Sequence, residues 1–181
     1  DAVQILTTMF HDRRYTNIIA IAGPMVPGGL RELVSQLVSG RQVHALTMTG
    51  ANVTHDLVEA LGYRHEIGTE DFDDRTLKRR GLHRIYDLYI SQRAIDALEK
   101  FIHSAVSKIA EEKRRNIGPW ELLHEIGNQL RDPRSILRNA SLRNMPIFCP
   151  GIHDSMIGVD LWTFGQLNTL YINPMRDFSK I

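Results

Sequence analysis

The chain of 181 residues contains one cysteine, Cys149, which excludes an internal disulfide. It has no apolar run of the ~20 residues that a membrane-spanning helix needs, and no segment patterned like a signal peptide. These absences point to a cytoplasmic protein with no membrane partner. Neither charge is in excess: 22 Lys and Arg stand against 21 Asp and Glu, for a formal charge of +1. Arg79-Arg80 and Arg114-Arg115 are local spots rather than a nucleic-acid face. Repeats, heptads and low-complexity tracts are missing as well. No GxGxxG, P-loop or zinc-ligand spacing occurs, so no short motif announces a nucleotide or a metal.

What is present is enough apolar material for one domain. With 43% hydrophobic and 24% charged residues, the chain can bury a sizeable core, and no linker divides residues 1–181. Residues 17–22 form a short apolar run ended by "GPMVPGG", as a buried strand entering a loop would. Leu30, Leu33, Val34, Leu37 and Val38 recur at helical spacing and stop at Gly40. Residues 43–48 then read as a second strand and 53–61 as a second helix closed by Gly62. Strand, helix, strand, helix implies right-handed crossovers. The expected fold is therefore α/β, a Rossmann-like, doubly wound, mostly parallel sheet flanked by helices.

Residues 63–80 are polar and aperiodic, and order resumes at "GLHRIYDLYIS". A long helix is expected over 94–114, another over 120–130, and a third capped by Asp132-Pro133 and running to Asn144. "MPIFCPG" reads as a third strand, followed by the loop "GIHDSMIGVD", a helix near Leu161, the strand-like "LYIN" and a last helix around Asp177. Trp120 and Trp162 suit core positions on helix faces.

In an open parallel sheet, ligands bind beyond the carboxyl ends of the strands. Three loops hold that place: Gly23 to Gly29, Thr49 to Asn52, and Gly151 to Asp160. Small residues there let backbone N–H groups approach a ligand, and a following helix N-terminus favours a phosphate. They serve equally as plain tight turns. Asp154 and Asp160 could hold a ribose hydroxyl or an ammonium group, since both need an ionised acceptor. They would serve equally as an Asx turn and a helix N-cap. His55 and His153 flank the region as surface histidines, and Cys149 suits a small core position.

The segments "GGLRELVSQLVSGRQVHALTMTGANVTHDLVEALG", "GLHRIYDLYIS" and "PWELLHEIGNQLRDPRSILRNASLRNMPIFCPGIHDSMIG" together resemble the deoxyhypusine synthase family, in order and separation, from about Asn17 onward. The resemblance implies a Rossmann-like domain that binds NAD, in an enzyme that forms homo-oligomers, dimers or tetramers, with sites at dimer interfaces. Such an enzyme oxidises spermidine and passes its aminobutyl group to an acceptor amine, usually one lysine of the hypusine-bearing translation factor. Matched by position, the family's cofactor-binding residues fall on Gly23, Pro24, Met25, Val26 and Pro27, on Thr49, Gly50 and Ala51, and on Asp154. His55 is placed to meet either the cofactor or the polyamine.

This chain also departs from the family pattern. Gly23-Pro24 stand where eukaryotic members have Ser-Asn, and Thr54 and His55 stand where they have two glutamates. The polyamine-binding acid that follows the glycine matching Gly158 is displaced by Val159, so its role is carried to Asp160. Substrate contacts are thus expected at Thr54, His55 and Asp160. The family's catalytic lysine lies in a Trp-Gly-Lys-like stretch that this chain lacks. Its five lysines, Lys78, Lys100, Lys108, Lys113 and Lys180, have no such context. Three readings follow: an aminobutyl transferase whose sheet and lysine continue beyond Ile181, a catalytically inactive paralogue that binds a complete partner, or an unrelated Rossmann-like binding module.

Overall fold

The computed structural model describes residues 1–180. After helix α1 (Ala2–His11) the chain runs through β1 (Ile18–Ile21), α2 (Arg31–Ser39), β2 (Ala45–Met48) and α3 (Gly50–Ala60). An excursion follows, made of β3 (Glu66–Ile67), α4 (Asp74–Arg79), β4 (Leu82–Ile85) and β5 (Leu88–Ser91). Helices α5 (Gln92–Ser107), α6 (Glu111–Arg114), α7 (Pro119–Gly127) and α8 (Ile136–Leu142) lead to β6 (Ile147–Phe148), α9 (Met156–Leu167) and a closing 3-10 turn, Pro174–Lys180.

The fold is α/β, with a parallel sheet in the order β1-β2-β6 flanked by helices. Ile18 pairs with Ala45 and Ile21 with Met48, while Leu46 and Thr47 of β2 face Ile147 and Phe148 of β6. All three strands therefore end at the same side, where the three loops emerge. Leu46, Val53, Leu57, Leu98, Ile102 and Ile126 are completely buried, and they join sheet and helices in one core.

Several local expectations change. The polar stretch 63–80 is not a structureless excursion, because β3 pairs antiparallel with β5, and β5 with β4, into a second small sheet. Asp73 caps α4 within it, accepting from Thr76 N at 2.9 Å. The helix expected over 94–114 stops at Ser107. There Ala110 turns extended, Ile109 is buried by the turn rather than by a helix face, and its freed carbonyl accepts from Arg114 Nε at 3.0 Å. Leu33 and Trp162 are 54% and 64% exposed, so neither is a core residue, and Trp120 is half-buried. "LYIN" makes one parallel bridge, Ile172 to Ile117.

Asp132-Pro133 does not cap a helix; Ser135 caps α8 instead. The deeper reason lies on α3. Asp56, completely buried, takes four hydrogen bonds on its two carboxylate oxygens. Oδ1 accepts from Arg31 Nε at 2.7 Å and Ile136 N at 3.1 Å, and Oδ2 from Ser135 Oγ and Leu137 N, both at 2.9 Å. That uses the acceptor capacity of a carboxylate in full. Arg31 also donates from Nη1 to Asp132 Oδ2 at 2.8 Å and from Nη2 to the Asp56 carbonyl at 3.2 Å. One side chain thus joins α2, α3 and the first turn of α8. Asp56→Ala removes it and leaves the buried Nε–H of Arg31, the Ser135 hydroxyl and two first-turn N–H groups without that partner. The expected loss is about 3–5 kcal/mol of stability, measured by urea denaturation.

Candidate functional site

The loops after β1, β2 and β6 surround a cleft of about 370 Å³ lined by Ala22, Thr49, Gly50, Pro150, Gly151 and Asp154 and floored by the strand ends, Met48 among them. Thr49 N donates to Ile21 O at 3.2 Å, which carries the sheet ladder one residue past β2. Thr49 is the N-cap of α3 in extended backbone, yet its side chain does not cap the helix. The first-turn N–H groups of α3, at Gly50 and Ala51, are therefore left for a ligand or for solvent. Gly50 is buried, and a Cβ there would overlap the Ser155 side chain, the N-cap of α9. Its lack of a side chain lets the two helix N-termini meet beside the cleft.

Asn52 builds the rest of the junction. It is completely buried, its Oδ1 accepts from Val26 N at 2.9 Å, and its Nδ2 donates to Gly23 O and Thr49 Oγ1, each at 2.9 Å. The first loop is thereby bound to the first turn of α3. Gly23 sits at φ +68, a left-handed conformation that favours glycine. The third loop is shaped by Ser155, which accepts from Gly158 N at 3.2 Å and donates to Ile152 O at 2.6 Å. Asp154 is exposed at the rim, with its N–H engaged by Gly151 O at 3.0 Å.

The expected site residues separate into groups. Thr49, Gly50 and Asp154 line the cleft, and Ala51 is exposed beside it. Gly23, Pro24 and Met25 are exposed on the neighbouring loop, whereas Val26 and Pro27 are buried under it. Val26 N is already taken by Asn52. Thr54 is buried, and its hydroxyl accepts from Ile157 N at 3.4 Å, a link between α3 and α9. His55 is not a surface histidine on a loop: it lies inside α3, 9% exposed, against His65. Cys149 is completely buried, with its thiol pushed up to about 12 by burial and by nearby Asp177, so it is a core residue.

Asp160 is neither a helix cap nor a cleft residue. It lies in the second turn of α9, is 6% exposed, and its Oδ2 has no partner among the described residues. Burial, with Glu99 nearby, pushes its carboxyl up to about 6 against the pull of His103. His103 Nε2 itself meets the Asp160 carbonyl at 3.0 Å and Thr163 Oγ1 at 3.1 Å.

Sequence reasoning missed Asn52, Asp56, Ser155 and His65. The usable signal was a run of polar residues, Asn52, Thr54, His55 and Asp56, at helix positions interleaved with the core residues Val53, Leu57 and Val58. Buried polar side chains in such a place must be hydrogen-bonded. Their partners lie in distant segments, and no local pattern names them.

The comparisons fit this geometry. The profile of the deoxyhypusine synthase family matches residues 1–181, and the chain belongs to that family. A "probable deoxyhypusine synthase" of Methanothermobacter thermautotrophicus is 37% identical over 180 residues, covering 99% of this chain and 58% of that relative. Another, from Archaeoglobus fulgidus, is 37% identical over 163 residues, covering 90% of this chain and 52% of the relative. The chain thus spans little more than half the length of these relatives. A crystal structure assigned to deoxyhypusine synthase from Entamoeba histolytica superposes with a TM-score of 0.75 at 18% identity, covering 98% of this chain and 62% of that one. At that identity the likeness shows the fold.

Two measurements check the site. Asn52→Ala leaves Val26 N–H and Gly23 C=O without their partner, and is expected to cost about 2 kcal/mol or more in urea denaturation. Asp160, whose carboxyl is raised, holds its proton more tightly folded than unfolded. Its contribution is full below about pH 4 and is lost as pH rises through about 6. Asp160→Asn is expected to remove a stability decline of at most about 3 kcal/mol between pH 4 and pH 7, seen as the wild-type-minus-variant difference.

Proposed function

We propose that this chain forms the NAD-binding part of a deoxyhypusine synthase, which transfers an aminobutyl group from spermidine or a related polyamine to an acceptor amine. The acceptor in this reading is a lysine of the hypusine-bearing translation factor. The observation that carries the proposal is the uncapped N-terminus of α3 at Gly50 and Ala51, opening on a cleft of small residues with a free carboxylate, Asp154, at its rim.

The donor set suits a dinucleotide. Peptide N–H groups at a helix start favour a pyrophosphate, the small side chains admit it closely, and a rim carboxylate accepts from ribose hydroxyls. Thr49, Gly50, Ala51 and Asp154 would hold NAD, with Gly23, Pro24 and Met25 closing one side and the buried Val26 and Pro27 supporting that loop. When bound, NAD supplies a hydride acceptor. The chain's own residues bind and orient: Asn52 holds the first loop against α3, and in this reading Thr54, His55 and Asp160 are assigned to the polyamine side. Among the described residues no lysine lines the cleft. In this reading the amine that receives the aminobutyl group is the lysine of the translation factor, supplied from outside this cleft. A cytoplasmic homo-oligomer is the form this reading expects.

Calorimetry with NAD on the intact protein tests the reading. Asp154→Asn keeps the shape and removes the charge that accepts the hydroxyls, so the NAD dissociation constant is expected to rise about tenfold. A wild-type protein that ignores NAD, or an unchanged affinity in the variant, removes the cofactor from this cleft.

A further inference from the structure

Helices α2 and α8 pack side by side, with Asn139 Nδ2 of α8 donating to Ser35 Oγ of α2 at 2.8 Å, and each runs toward the start of a strand of the parallel sheet. Both end in the same turn. After α2, Arg41 N donates to Val38 O at 3.2 Å and Gln42 N to Leu37 O at 3.1 Å. After α8, Asn144 N donates to Ser141 O at 3.0 Å and Met145 N to Ala140 O at 2.9 Å. This pair of bonds is a Schellman motif, which holds one residue in the left-handed region, usually glycine. Here those residues are Arg41, at φ +62, and Asn144, at φ +51. Asparagine visits that region more readily than other residues with a side chain, and arginine has no such preference. Gly40 stands one place too early to take it. The backbone therefore gives no reason for an arginine at 41.

Between the two turns lies a cleft of about 570 Å³, at the opposite end of the strands from Thr49 and Asp154. Its floor is apolar, made by Val38, Val43 and Met145, all buried. Its rim carries Arg41, His44, Arg143 and Asn144, all exposed, and no Asp or Glu lines it. Among the described residues neither guanidinium has a hydrogen-bond or ion-pair partner, and the helix-end carbonyls of Leu37, Val38, Ala140 and Ser141 already accept from the backbone. His44 is oriented by Asn17. Its N–H donates to Asn17 O at 2.8 Å and its Nδ1 accepts from Asn17 N at 2.9 Å, so Nε2 carries the proton and has no partner among the described residues. Asn17, 3% exposed, also donates from Nδ2 to Gln42 O at 2.9 Å, so residues 40–44 are held in place in advance of a ligand. The two helix C-termini oppose an anion by about half a charge each, which two guanidiniums outweigh.

We propose that this cleft binds a small organic anion, its phosphate or carboxylate group held by Arg41, Arg143 and His44 Nε2 and its apolar part lying on Val38, Val43 and Met145. A guanidinium takes either oxyanion through two parallel N–H donors. The inference goes beyond the function proposed above and uses none of its residues.

Calorimetry on the intact protein tests it, with phenyl phosphate, phenylacetate and inorganic phosphate as probes. At least one of the two organic anions is expected to bind saturably, and more tightly than inorganic phosphate, which has nothing to lay on the floor. The tighter of the two identifies the oxyanion. Added NAD is expected to leave this binding unchanged. Arg41→Gly and Arg143→Gln are each expected to raise the dissociation constant about tenfold. Arg93→Gln removes an exposed charge from α5 and is expected to change nothing, which separates the cleft from general electrostatics. Arg41→Gly is also expected to keep or raise the urea midpoint, because glycine suits the turn, so its lost binding is not lost folding. Absence of saturable binding by both organic anions, displacement by NAD, or equal affinity in Arg41→Gly and the wild type overturns the proposal.

Discussion

The direction in which α3 points depends on one buried carboxylate. Asp56 accepts from Arg31 on α2 and from Ser135, Ile136 and Leu137 at the start of α8, with no solvent to share the task. A charge so placed is tolerable only with every lone pair occupied, because an unpaired ion in the interior costs several kcal/mol. The demand works in both directions: α8 needs an acceptor for its first turn, and Arg31 needs an anion. Neither can be met unless α2, α3 and α8 take one mutual arrangement. That arrangement brings the other end of α3 to the carboxyl ends of β1, β2 and β6.

From that anchor, the polar residues of α3 divide by depth along the helix. Asn52, in the first turn, is spent on the loop after β1, and Thr54 on α9. Asp56 is spent on the helices behind. Each of the three is committed to a protein partner. His55 differs, since its one bond goes to another histidine and a ring nitrogen remains. A helix whose other buried polar groups are committed to protein partners thus keeps two features open, the peptide N–H groups of its first turn and one imidazole.

The strands and helices around the cleft were legible because they follow simple periods. Residues 17–22 and 43–48 are short apolar runs, 30–38 repeats every three to four residues, and Gly or Pro ends each run. The excursion at 63–80 was not legible. Glu66 and Ile67 are exposed and gain their strand character only from pairing with β5, a partner about 20 residues away. The break after Ser107 was hidden for a related reason: Ile109 keeps the apolar spacing of a helix but is buried by a turn that Arg114 completes. Within the site, the small residues at 49–51 and the acid at 154 could be placed by sequence. The roles of Asn52, Asp56 and His65 could not, since each is defined by a partner that only tertiary packing brings near.

The sheet has one further consequence for the cleft. Parallel sheets are ordinarily covered on both faces. Here Ile18 is 59% exposed and Ala20 is exposed on β1, alternating with the less exposed Ile19 and the buried Ile21, so one face is only partly covered by the described residues. Ala20 and Thr47 both reach the cleft. Anything that packed against that face would narrow the cleft as well and lower its dielectric, and so would strengthen the electrostatic interactions of Asp154 and the α3 N-terminus. The exposed sheet face and the cleft share Ala20 and Thr47. Substitutions at Ala20 would accordingly act on packing and on binding together, unlike those at Asp154, which stands free at the rim.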